Sequence, residues 1–178
     1  IFGPDLGSIK GKTTRKTSPV DEKITGVPHQ IMSRYKDIIL SIDIMKVNLI
    51  PFLVSISRHV YFGTAAKLDN MKNPTIFAQI QLIHHLYKGR GFRIALILGD
   101  GQFESLRGDI ASLGADLNTA ARDEHVPDAE RYIRTIKERV RSIYNVLPFN
   151  HYPPLLIIEM IYHAVFWLNM FPADNGVS

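Results

Sequence analysis

The stretch "DIILSIDIMKV", residues 37–47, decides how the rest of this chain is read. It is apolar and β-branched, and Ile38, Leu40, Ile42 and Ile44 share one parity. That alternation describes a buried strand. One residue does not belong in such a strand. Asp43 stands between Ile42 and Ile44, and a carboxylate taken out of water among large apolar groups is costly unless it has a partner or a metal. The expectation is a buried acid that has a function.

Working outward, "IPFLVSIS" (50–57) and "RHVYFGTAAK" (58–67) follow at short spacing as two further strands of a meander. Asn73 opens a helix with Pro74 at its first position, where the missing proline N–H costs nothing. The helix should run to about Tyr87, with Gly89 and Gly91 ending it. "FRIALILGD" (92–100) is a continuous apolar strand ending at Asp100. A loop or short helix through Gly114 and a short strand at "LNTAA" (117–121) come next. From Pro127, Val126, Ala129, Ile133, Ile136, Val140, Ile143 and Leu147 repeat at three and four residues and give one apolar stripe, which Pro148 stops. A last helix runs from about Pro154 to before Pro172. Its apolar run is interrupted by Glu159, His163 and Asn169 and falls short of the ~20 residues of a membrane span, so it reads as a core or interface helix. The order is α/β. It matches an RNase H-like arrangement: a mixed central sheet of about five strands with helices packed on its faces.

Composition narrows the function classes. The chain has 178 residues, 46% of them hydrophobic, enough for one core and little beyond it. It has no cysteine, which excludes disulfide scaffolds and cysteine-held zinc. No signal-peptide pattern follows Ile1, and the chain reads as a piece of something longer. Residues 1–27 mix Gly, Pro, Lys, Thr and Ser and read as a basic linker or tail, leaving 28–178 as the folded core. "GSIKGKT" within the tail is not a phosphate loop, because Gly7 falls one residue too late in the spacing. Net charge is only +4, so distribution matters more than total. Lys10, Lys12, Arg15 and Lys16 form one basic cluster. Arg131, Arg134, Lys137, Arg139 and Arg141 form a second, on a helix, either an ordered stripe able to face phosphates or, as charge alone would favour, a solvated helix face.

Three acids make a constellation. Asp43 lies within the first strand, Asp100 at the mouth of the later one, and Glu130 at the edge of the helical stripe. If the two strands are adjacent and parallel, both aspartates reach one sheet edge, and a helix packed on that sheet can aim Glu130 at them. Converging carboxylates suit Mg²⁺ or Mn²⁺, and two such ions activate an attacking oxygen and stabilise a leaving one in phosphodiester displacement. Taken singly, Asp43 pairing with a buried cation, Asp100 as a turn residue and Glu130 pairing with Arg134 remain open readings. Glu130, Arg134, Lys137 and Arg141 share one helix face, an acid followed by cations. His84, His85, His125 and His163 are scattered and read as surface or core-edge residues, His125 being the one close to Glu130.

"DIMKVNLIPFLVSISR" (43–58), "LILGDGQFE" (96–104), "NTAARDEHVPDAERYIRTIKERVRSIYNVLPF" (118–149) and "YHAVFWLNMFPADNGVS" (162–178) resemble the integrase core of copia-like long-terminal-repeat retrotransposon polyproteins. "GKTTRK" (11–16) resembles the polyprotein segment before that core. The resemblance implies an RNase H-like fold and a metal-dependent polynucleotidyl transferase of the retroviral integrase type. It places a catalytic and metal-binding triad on Asp43, Asp100 and Glu130, and DNA contacts on Arg131, Arg134 and Lys137. It also implies Mg²⁺ dependence, element-end and target DNA as partners, a homo-multimer, neighbouring polyprotein segments, and a nuclear or cytoplasmic-particle location without a membrane. The turn "DGQFE" lacks the family's second glycine, "ARDEHVPD" replaces its loop before the helix, and the Asp100–Glu130 interval is short for it. A transposase or ribonuclease H on the same fold, or a catalytically decayed DNA-binding remnant, are the other readings.

Overall fold

A computed structural model describes residues 26–119, 126–148 and 151–171. The first strand is where the alternation puts it: β1 is Asp37–Val47. β2 (Ile50–Ser57) returns antiparallel after a two-residue turn, with Asn48 at φ 47° and Leu49 at φ 66°. A turn with both central residues left-handed matches the twist of the flanking strands. β3 (Gly63–Lys67) pairs antiparallel with β2. It is shorter than the expected 58–67. His59 (φ 75°) and Tyr61 (φ 57°) bend residues 58–62 into a turn closed by Ser57 and Phe62, which exchange backbone and hydroxyl hydrogen bonds. Val60, Tyr61 and Phe62 have strand composition but turn geometry, so composition alone misreads them.

α2 (Asn73–Gly89) carries Pro74 in its first turn and crosses to β4 (Arg93–Gly99). A 3-10 turn (Gly101–Leu106), α3 (Arg107–Ser112) and β5 (Asp116–Thr119) follow. The last two residues of the expected strand 117–121 lie outside the described residues. α4 (Pro127–Val146) and α5 (Pro154–Met170) both begin on proline. A short α1 (His29–Tyr35) was not expected; it buries none of its residues and so offers no apolar stripe to read. The tail expected over 1–27 lies, apart from Gly26 and Val27, outside the described residues.

The sheet order is β3-β2-β1-β4-β5, with β4 parallel to β1 and β5 parallel to β4. This is the mixed five-stranded sheet expected. Each face carries its own core. Ile38, Leu40 and Ile42 of β1 pack with Ile76, Ile80 and Ile83 of α2 and with Phe103, Leu106 and Ile110 beyond β4. Met45, Phe52 and Val54 pack with Tyr132, Ile133, Ile136 and Val140 of α4 and with Ile157, Met160 and Ile161 of α5. Among the described residues no helix is long and apolar enough to cross a membrane. α5 instead buries one side and exposes Phe166, Trp167, Met170 and Phe171 on the other.

Two contacts fix where α4 and β5 sit. Gly63 lies against the ring of Tyr132, where an added Cβ would fall 2.2 Å from the ring's Cζ. Glu104 accepts from two guanidinium nitrogens of Arg107, Nε and Nη2, at 2.6 and 2.7 Å, and from the hydroxyl of Thr119 at 2.7 Å. Arg107 in turn donates to the carbonyl of Leu117 at 2.6 Å, so the pair staples the edge strand β5 to the turn after β4.

Gly63→Ala should destabilise the protein by about 1–3 kcal/mol in urea unfolding, because the buried Tyr132 ring has to move. Tyr132→Phe should cost under ~0.5 kcal/mol, since the buried hydroxyl has no hydrogen-bond partner among the described residues. The hydrogen bonds from Arg107 and Thr119 hold Glu104 down to about 2 from its ordinary 4.5. A depressed carboxylate contributes stability that is present above its unfolded value and lost as pH falls through the folded one. Stability should therefore decline between about pH 5 and pH 2, and Glu104→Gln should flatten part of that slope in pH-resolved denaturation.

Candidate active site

The parallel ladder between β1 and β4 ends with Ser41 beside Leu98. Two residues past that pair come Asp43 on β1 and Asp100 just after β4, so both acids lie at the same end of the parallel pair. β4 stops at Gly99, so beyond Ile42 the β4 flank of β1 has no strand against it. This corrects one expectation. Asp43 is half-buried rather than buried. Ile42 and Ile44 point into the α2-side core. Asp43 has the parity of Met45 and is paired with Val54, so it belongs to the face covered by α4. Its Oδ1 accepts the N–H of Ile44 at 2.6 Å.

Asp100 is half-buried and begins the 3-10 turn. Its Oδ1 accepts the N–H of Gly101, and its carbonyl accepts the N–H of Phe103 at 3.0 Å. The turn folds tightly back on the sheet. A Cβ on Gly99 would meet Phe103 at 2.8 Å and Ile42 at 3.3 Å, so only glycine fits beneath Phe103 without displacing the ring. Glu104 of "DGQFE" is the acid in the staple to Arg107 and Thr119. The sequence carries one signal for this pair, the i,i+3 spacing of Glu104 and Arg107.

Glu130 lies in the first turn of α4, half-buried at the margin of the apolar stripe as expected. The start of α4 is tied down by Asp128, whose Oδ2 accepts from Arg58 at 2.7 and 2.9 Å. The backbone N–H of Arg58 bonds the carbonyl of Ile39 near the start of β1. At its other end, α4 brings Lys137, Arg141 and Tyr144 beside Lys46, Val47 and Asn48. α4 therefore runs alongside β1 in the same direction, with Glu130 entering on the Asp43 side of the sheet. The anchor Arg58–Asp128 joins residues 70 apart, and no local pattern announces it.

The two aspartates thus lie at the same end of the parallel β1–β4 pair, and Glu130 lies on the helix that covers the Asp43 face of the sheet. Among the described residues no three His, Asp or Glu side chains come close enough to hold one metal ion. The three acids offer carboxylate oxygens, the donors a hard divalent cation prefers. Arg134, Lys137 and Arg141 follow Glu130 on one helix face, whereas Arg131 is turned about 100° from it. None of these four cations makes a salt bridge among the described residues. Of the histidines, His85 is hydrogen-bonded to the Gln81 carbonyl at 2.7 Å, and His163 accepts from Trp167 at 2.7 Å. His125 lies outside the described residues.

No protein-family model and no curated relative matches the chain. Solved structures do. One is the catalytic core domain of BIV integrase: 15% identity, 79% of this chain and 89% of that one, TM-score 0.57. Another is the catalytic core domain of HTLV-2 integrase in complex with magnesium, in a dimeric form: 15% identity, 81% of this chain and 94% of that one, TM-score 0.61. The chain has the fold of a retroviral integrase catalytic core.

Proposed function

We propose that the chain is the catalytic core of a copia-like retrotransposon integrase, a metal-dependent polynucleotidyl transferase acting on DNA. The observation that supports this reading is that Asp43 and Asp100 fall at the same end of the parallel β1–β4 pair of a retroviral-integrase-like sheet, with Glu130 on the helix that covers the Asp43 face. The likeness of fold and the resemblance in "DIMKVNLIPFLVSISR" and "DAERYIRTIKER" (128–139) support it together.

In this reading Asp43, Asp100 and Glu130 hold Mg²⁺ or Mn²⁺. When bound, the metal would supply an activated attacking oxygen and charge stabilisation at the leaving oxygen. The remaining work falls to the chain's own groups. Arg134, Lys137 and Arg141 hold strand phosphates along α4, and Arg131 reaches a phosphate on the neighbouring face. Phe103 and Gly99 fix the turn that aims Asp100, and the Arg58–Asp128 pair fixes the start of α4 that carries Glu130. Water first cleaves a phosphodiester near the element's 3′ end. The freed 3′ hydroxyl then attacks a target phosphodiester, whose own 3′ oxygen leaves. The HTLV-2 core is a dimer, and a homo-multimer is proposed here too, through the exposed Phe166, Trp167, Met170 and Phe171 of α5 and its end.

Asp43→Asn, Asp100→Asn and Glu130→Gln should each reduce strand transfer by the full-length parent protein to background. Folding and DNA binding should stay within about twofold of the parent, because each change keeps shape and removes one charge. Joining assays with element-end and target oligonucleotides measure this, and full joining by Asp43→Asn and Glu130→Gln contradicts the assignment. Cleavage of RNA in a hybrid without joining would instead identify a ribonuclease H.

A further inference from the structure

α4 continues past the candidate acids, and a groove of ≈ 410 Å³ opens between its second half, the β1–β2 turn and α5. The walls are Lys46, Val47 and Asn48 at the turn, and Lys137, Arg141 and Tyr144 on α4. The floor is Val140, Ile157 and Met160, all buried. Three cations therefore surround an apolar floor, and no carboxylate lies among the described lining residues. Lys137, Arg141 and Tyr144 fall on one face of α4, the face that begins at Glu130.

Tyr144 is the informative member. It is 42% exposed, so the apolar core does not account for its position. Its ring is held against Tyr152, with centroids 4.3 Å apart, and the Tyr152 hydroxyl donates to the Tyr144 carbonyl at 3.2 Å. An exposed ring already fixed in place loses little freedom when something stacks on it. A positively charged groove with an aromatic platform is how proteins hold unpaired strands: cations take phosphates, and a ring takes the flat face of any base. The volume suits a small ligand or a nucleotide or so, and is far too narrow for a duplex about 20 Å across.

We propose that this groove binds an unpaired segment of a nucleic-acid strand, with phosphates on Lys137, Arg141 and Lys46 and a base stacked on Tyr144. It deepens the functional reading above, in that it supplies a path for a frayed DNA end running along α4 away from Glu130. Binding needs no metal and no chemistry, so it is measured separately from catalysis.

The test is fluorescence anisotropy in EDTA with a labelled oligo-dT, the same oligonucleotide with abasic sites, and a duplex of equal length. Tyr144→Ala should weaken oligo-dT binding about tenfold and Tyr144→Phe should restore it, with duplex binding unchanged. Lys137→Ala and Arg141→Ala should each lower the slope of log affinity against log salt by about 0.7 on the single strand. Equal binding of the abasic and base-bearing strands, or equal binding by Tyr144→Ala and Tyr144→Phe, overturns the proposal. So does a polyglutamate peptide that competes as well as the oligonucleotide. Strand transfer that fails while this pattern holds would count against the catalytic assignment and leave the groove standing.

Discussion

The parallel pairing of β1 with β4 is the constraint on which the site depends. It runs from Asp37 beside Arg93 to Ser41 beside Leu98, and then β4 stops while β1 continues with β2 alone. Asp43 and Asp100 both lie just past the point where that ladder ends. A carboxylate two residues earlier on β1 would be enclosed, as the fully buried Ser41 is, and its charge would have to be neutralised or compensated. Asp43 is half-buried, shielded enough for a cation's field to be felt and open enough for a strand to approach.

Packing on both sides of the sheet maintains that geometry. On the α2 side, Phe103 closes over Gly99 and Ile42, so the turn that carries Asp100 cannot drift from β1 without opening the core. On the other side, Ile133, Ile136 and Val140 seat α4 on Phe52 and Val54, and Arg58 draws Asp128 toward the start of β1. The Arg58–Asp128 pair is partly exposed, so it adds direction more than stability. The result is a helix whose polar edge passes from an acid to a row of cations and ends at an aromatic pair.

Much of this was legible in the residues. The β1 alternation, the prolines at the first turns of α2, α4 and α5, and the α4 stripe each follow from local physics, and the structure places those elements as expected. Asp43 stands out in the sequence because an acid inside an apolar strand is anomalous, but its half-burial does not follow from that pattern. A strand's own pattern does not say where its neighbour ends. Residues 58–62 failed for a related reason: Val60, Tyr61 and Phe62 look like strand, and only the left-handed His59 and Tyr61 make them a turn. The Arg58–Asp128 anchor and the Tyr144 groove bring together distant segments, so neither leaves a local signature. Glu130 was placed on its helix face by periodicity and in its role by resemblance alone.

The central claim is that Asp43 and Asp100 share a divalent cation. Crystals of the protein soaked in Mn²⁺ and measured by anomalous diffraction test it most directly. The account predicts a peak bridging the Asp43 and Asp100 carboxylates, lost in Asp43→Asn. Manganese bound elsewhere with nothing between the two aspartates, or a bridging peak that survives Asp43→Asn, would contradict it.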